Sequence, residues 1–233
     1  MMLIGRTSPS KPDVVAEHVA LKCTYNDGGE DTLVGFEGVC SETNIKRNII
    51  AKRVNCSLRD NECRQYYDSG FHGTPPQCEP CYESHLFKDK EWSFGCGMHH
   101  NGKKAGKPIS VRRIGKGTIA FLTTLFPGDK EIDRRIIGLF EAALVERKAG
   151  YSVTLRADAA GRVRLPLDEA KQLYLWDYYS VRGGAPRWGT GLVRHLDVKQ
   201  ATCILRDLRD TLRDEQAKAV VSRLLQRSEF SGY

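Results

Sequence analysis

The sequence predicts an α+β protein: a small β-barrel-like core, an irregular cysteine-bearing insert before it, and helices after it. Three observations predict this. Two strongly apolar stretches, 118–125 and 135–145, are separated by the turn sequence Pro127-Gly128-Asp129. Residues 197–225 carry apolar side chains at helical spacing. Between residues 55 and 107 periodicity is nearly absent, yet this stretch holds Cys56, Cys63, Cys78, Cys81 and Cys96.

Taken in order, residues 1–15 are polar, contain Ser-Pro and Lys-Pro, and read as a loose start. Residues 17–25 read as a strand. Asn26-Asp27-Gly28-Gly29 is a hairpin turn signal, with 32–39 as the partner strand. Ser41 is a suitable N-cap for a short helix over 42–54, where Ile45, Ile49, Ile50 and Val54 approach a helical period. So long an irregular stretch as 55–107 requires a staple inside a compact domain. Strands are expected at 118–125, 135–145, 151–156 and 163–165, with a turn at 158–161 and a stop at Pro166. Asp168 is expected to cap a helix over 169–178, and a Gly-rich aromatic loop follows at 180–191. Asp197 is expected to cap a last helical region, whose stripes (Ala201, Ile204, Leu205, Leu208, Leu212, then Val220, Val221, Leu224, Leu225) read as packing faces. A boundary near residue 115 divides the chain into a hairpin, helix and cysteine region (1–115) and a β-rich domain with a helical tail (116–233).

The chain has 233 residues and eight cysteines. It shows no apolar run of about 20 residues, which a membrane-spanning helix needs, and no signal-peptide pattern. A cytoplasmic protein without a membrane partner is therefore expected. In a reducing compartment, clustered cysteines point to metal rather than disulfides. Structural zinc takes four soft ligands in a tetrahedron, and a Cys-x2-Cys knuckle such as Cys78–Cys81 turns two thiolates toward one point. The candidates are Cys56, Cys63, Cys78, Cys81, Cys96, His99 and His100, with Cys40 undecided. Cys23 and Cys203 fall in apolar patterns and read as core thiols.

The formal net charge is +7. From Trp92 to Gly128 there is no Asp or Glu, while Lys103, Lys104, Lys107, Arg112, Arg113 and Lys116 all occur there. An acid-free, glycine-bearing segment with these cations is a candidate phosphate-contacting loop, whose plain alternative is a solvated loop that keeps the protein soluble. Trp176, Tyr178, Tyr179 and Trp188 lie near Arg182, Arg187 and Arg194. Aromatic rings beside arginines suit base stacking, worth about 1–3 kcal/mol per base. The plain alternative places Trp176 and Tyr179 in the core, leaving Trp188, between Arg187 and Gly189, as the better functional candidate.

At Pro80-Cys81-Tyr82-Glu83-Ser84-x-Leu86-Phe87, followed by Trp92-x-Phe94-Gly95-x-Gly97, the chain resembles a largely uncharacterised family of bacterial zinc-containing domains. The resemblance runs on through Gly117–Thr124, Arg135–Phe140 and Trp188-Gly189-Thr190-Gly191-Leu192-x-Arg194. It implies a structural zinc held by Cys56, Cys63, Cys81 and a residue at the His99/His100 position, of which His100 is preferred, with Cys78 and Cys96 as the other candidates for the fourth ligand. The β-rich half, with its Arg-x-Ile-x-Gly-x-Phe strand and later aromatic loops, is similar to the PUA-like group that includes the EVE and YTH domains. This second resemblance implies a reader of modified DNA or RNA, such as the sensing half of a modification-dependent restriction system. Trp176, Tyr178, Tyr179 and Trp188 would form its cage, and a nuclease or helicase would be its partner.

The expected function is thus a nucleic-acid-binding module with a structural zinc and no catalytic residue. An HNH-type nuclease is the enzymatic alternative. It would use His99-His100-Asn101 with a divalent ion, but no further His follows until His195. The deaminase pattern is not met, because neither His72 nor His85 is followed by Glu two residues on. A protein-interaction domain docking through the C-terminal helices is the third reading.

Overall fold

The computed structural model describes residues 17–29, 35–77, 80–87, 92–99, 102–179, 186–189 and 191–230. The strands are β1 (His18–Lys22), β2 (Ser93–Gly95), β3 (Ile119–Thr124), β4 (Arg135–Glu146), β5 (Thr154–Arg164) and β6 (Val193–Leu196). They form one six-stranded sheet in the order β2-β5-β4-β3-β1-β6, curled into half a barrel. Neighbours are antiparallel except β1 and β3, which run parallel with Val19 opposite Ala120. Every residue of β3 is buried. Its unbroken apolar run, Ile119–Leu122, is what a strand covered on both faces requires. Gly138 lets β4 and β5 approach, since a Cβ there would stand 2.7 Å from the Val163 carbonyl oxygen.

The helices are α1 (Glu42–Ile50), α2 (Val54–Ser57), α3 (Glu62–Asp68), α4 (Leu167–Ala170), α5 (Val198–Thr211) and α6 (Glu215–Phe230). Asp197 caps α5 as expected, in a full capping box with Gln200. The apolar stripes of α5 and α6 enter the main core, which runs from Val19 on β1 to Leu225 on α6. Arg227 on α6 pairs with the buried Glu141 of β4. Among the described residues, no helix is long and apolar enough to cross a membrane.

Several expectations change. The strand expected over 32–39 falls partly outside the described residues, and 35–39 form a loop in which Gly35, Phe36 and Gly38 take positive φ. The helix expected over 42–54 stops at Ile50, because Lys52 has φ 52° and breaks it. Within the stretch that shows no sequence period, Asn61 caps α3 by accepting from the Cys63 N–H at 2.9 Å. Residues 154–164 form one strand rather than two. The Asp158–Gly161 piece stays in it, and the register against β4 shifts near Ala142. The helix expected over 169–178 is split into α4 and a 3₁₀ turn at Leu175–Tyr178. The intervening backbone is claimed by the sheet: Ile136 N–H donates to the Leu173 carbonyl at 2.9 Å, and Leu175 N–H to the Arg134 carbonyl at 2.8 Å. The cap residue of α4 is Pro166, not Asp168. Residue 115 does not divide the sheet, since β1 and β2 precede it and join strands that follow it.

A second, smaller core lies among α1, α2 and α3. Its buried residues are Ile45, Ile49 and Cys63, with Cys40, Cys56, Tyr66, Tyr67 and Phe71 packed against them. Polar contacts tie this lobe to the sheet. Asn44 and Asn48 of α1 both donate to the Tyr25 carbonyl, at 3.0 and 3.2 Å. Asp27 accepts from the Ser41 N–H at 2.8 Å and from its hydroxyl at 2.5 Å. Ser41 in turn caps α1 by accepting from Asn44 N–H.

Candidate functional site

The α1–α3 lobe does not close against the sheet. Between them lies a cavity of about 510 Å³, the size of a small-molecule or single-nucleotide pocket. One wall is α1 and the chain after it, with Arg47, Lys52 and Arg53; the opposite wall is the end of β1 and the 125–129 turn. Tyr25, Tyr82, Phe94 and Phe126 supply aromatic surface. The carboxylates in the lining are Glu83 and Asp129.

Three groups there lack the hydrogen bonds that buried polar atoms normally find. Arg134 is 1% exposed and pairs through Nε and Nη2 with Glu131, at 2.6 and 2.9 Å. Its Nη1 is buried without a partner, as are Tyr82 Oη and Asp129 Oδ2. The Lys22 ammonium is held below its ordinary pKa by burial, then by the nearby positive charge of Arg134. Glu83 is pushed the other way by burial, although its Oε1 accepts from Thr24 N–H at 2.9 Å.

The basic loop of the sequence is a hairpin beside this cavity. Met98 and Pro108 form a β-bridge, and His99 N–H donates to the Lys107 carbonyl at 2.9 Å. Met98 and Ile109, at its base, line the cavity. Lys103, Lys104, Lys107 and Arg112 are exposed. Arg113 is exposed too but is committed to Glu17 at 2.7 Å. His100 and Asn101 lie outside the described residues.

The expected aromatic cage is instead a packed stack. Trp176 is buried, as its plain alternative placed it, and Trp188 is buried too, contrary to the exposed stacking surface its sequence context implied. Their rings meet edge-on at 6.4 Å. The Arg134 guanidinium lies 4.7 Å from the Trp188 ring, and that of Arg194 lies 4.8 Å from Trp176 and 4.6 Å from Tyr179. Trp188 Nε1 donates to the Gly191 carbonyl at 2.7 Å, Tyr178 Oη to Asp207 at 2.7 Å, and Tyr179 Oη to the His195 carbonyl at 3.1 Å. Arg187 is exposed, and its carbonyl accepts from Arg194. Cation–π stacking has covered the faces that a base would need. Trp176 Nε1 is a buried donor without a partner.

No family model matches the chain, nor does any curated protein or solved structure.

The cysteines divide into two groups. Cys23 and Cys96 are buried in the main core, and Cys203 lies on α5. Cys40, Cys56 and Cys63 surround the small core. Burial pushes the Cys40 and Cys56 thiols up to about 12 and Cys63 to about 11, and neighbouring thiols add to the shift at Cys40 and Cys56. Cys81 is also pushed up by burial, then by Glu83, Cys40 and Cys56. Cys78 lies outside the described residues. Among the described residues, no three His, Cys, Asp or Glu side chains are gathered at metal-binding spacing.

Sequence reasoning missed the cavity because its lining is drawn from separate segments. Two local signals pointed to it: Lys22 ends an otherwise apolar run, and the Arg134-Arg135 pair follows a turn and opens a buried strand. Cys40 lies well upstream of Cys56, with α1 between them, so spacing alone does not join it to the other cysteines.

Proposed function

We propose that the protein is a nucleic-acid-binding module that lays a strand along the 98–108 hairpin and admits one unstacked nucleotide into the cavity. One observation carries this reading: the base of the lysine-bearing hairpin is a wall of a cavity that also contains Lys22, Arg53 and Arg134. Exposed cations outside would attract the phosphate backbone, and aromatic rings inside would receive a base. A curled half-barrel with such a cavity suits a PUA-like reader of modified bases, with the reading surface at this cavity rather than at the Trp176–Trp188 stack. The test is oligonucleotide binding at several salt concentrations. Replacing Lys103, Lys104 and Lys107 with Ala is expected to flatten the slope of log K against log salt by about 2, at ~0.7 per lost single-strand phosphate contact. Binding with an unchanged slope, or none, overturns the reading. Parallel oligonucleotides with and without modified cytosine or adenine measure the selectivity for modification.

A structural zinc belongs to the same proposal. The α1–α3 lobe has two buried isoleucines as its apolar core, which is little to hold three short helices. Cys40, Cys56, Cys63 and Cys81 face this region, and their neutral thiols are the kind of soft donors that zinc converts to thiolates. Cys40 thereby joins Cys56, Cys63 and Cys81 as a candidate ligand beside His100 and Cys78. Metal analysis of the purified protein is expected to give one zinc per chain, lost in Cys56→Ser and Cys81→Ser variants. A folded chain without zinc removes this part of the proposal and leaves the cavity untouched.

A further inference from the structure

We propose that one wall of this cavity holds the terminal phosphate of a nucleic-acid strand through Lys22 and Arg53, with the buried charge of Arg134 behind them; this rests on the nucleic-acid reading above. The three cations come from the end of β1, the α1–α2 junction and the residue before β4. All three line the same cavity. Gathering like charges in a buried wall is unfavourable unless an anion answers them. Glu131 answers part of Arg134, but Nη1 remains buried with no acceptor. Burial and the positive charges of Arg134 and Arg53 all weigh against the Lys22 ammonium, and Glu131 opposes them. The site is therefore short of negative charge around Lys22.

The geometry selects a phosphomonoester. A terminal phosphate carries nearly two negative charges and presents three acceptor oxygens, whereas a diester carries one charge and has sugars on both sides. Lys22 and Arg53 are half-buried, so a chain end reaches them more readily than a strand passing through. Asp129 and Glu83 share the lining, and each is already engaged. Glu83 already accepts from Thr24, and Asp129 Oδ2 lies 3.6 Å from Arg135 Nε.

The experiment compares one short single-stranded oligonucleotide prepared with a 5′-phosphate, with a 3′-phosphate, or with hydroxyls at both ends. Affinity is read by anisotropy on the full chain, with inorganic phosphate as competitor. One phosphorylated form is expected to bind about tenfold tighter than the hydroxyl form, the effect of a hydrogen-bonded charge pair. Arg53→Gln and Lys22→Met are each expected to erase that difference. Arg53 is only partly buried, so its variant keeps the test available if Lys22→Met does not fold. Equal affinity for all three oligonucleotides overturns the strand-end inference and leaves the nucleic-acid reading in place. Thermal stabilisation by inorganic phosphate with no oligonucleotide bound overturns both, as does the absence of any binding.

Discussion

The sheet with its C-terminal helices and the α1–α3 lobe are held by different physics. The first buries whole strands: Ala120–Leu122 and Ile136, Ile137, Leu139 and Phe140 are fully inaccessible. The second buries Ile45, Ile49 and Cys63, and depends on side-chain hydrogen bonds donated by Asn44 and Asn48 and accepted by Asp27 to stay docked. Apolar burial is roughly proportional to area and indifferent to direction, whereas hydrogen bonds contribute little net stability but fix position. A rigid wall thus faces a directionally tethered one, and the cavity lies between them.

The sharpest way to break this contrast is to damage the large core. Phe140→Ala is expected to cost about 3–5 kcal/mol and to lower the melting temperature of the whole chain. A calorimetric scan in which only part of the protein melts early would show that the sheet is not the unit of stability.

Acid probes the same region. His18 on β1 is buried as a neutral ring whose Nδ1 accepts from Ile119 N–H at 3.1 Å, and burial lowers its pKa to about 4. The unfolded chain takes up this proton near pH 6.5 and the folded one only near 4. The stability is therefore intact above 6.5, falls as pH drops through that window, and by pH 4 the loss approaches about 3 kcal/mol. His18→Gln is expected to remove this slope in denaturant titrations. A slope that persists unchanged in that variant assigns it to other groups.

Smaller effects belong to the tether. Asn48→Ala removes one of the two bonds to the Tyr25 carbonyl and is expected to cost about 1 kcal/mol. It should speed amide exchange in α1 while β3 and β4 remain protected. Exchange rising equally in both regions would mean that lobe and sheet open as one. Ser41→Ala is expected to cost about 1 kcal/mol through the lost α1 cap and the lost hydroxyl bond to Asp27.

The sequence showed β3, β4, α5 and α6 plainly, because each writes its own period and buries its own run. It hid β5, where Asp158 and Gly161 look like a turn. Their place in a strand comes from the bulged pairing with β4, a property of two segments together. Likewise Leu173–Leu175 reads as helix, and only the Ile136 N–H and Arg134 carbonyl opposite them decide otherwise. Of the candidate site, the lysines of the hairpin were legible as an acid-free run. The pocket was not, because nothing in the linear order connects Lys22, Arg53 and Arg134. Trp188 misled for a related reason: its neighbours in sequence are polar, while its neighbours in space are Trp176 and Arg134.

The parallel pairing of β1 with β3 joins His18 to a position 101 residues further on. Closing a loop of that length costs roughly 2 kcal/mol more entropy than closing one of ten residues. The β3–β4–β5 meander needs no such closure, so it can assemble while β1 is still free. β1 then docks after the meander and carries β6 on its outer edge, and with Lys22 at its end the cavity is complete only once β1 is in place. Whatever fills the cavity therefore binds the finished protein alone. It holds β1 in place by mass action and turns occupancy into resistance to unfolding.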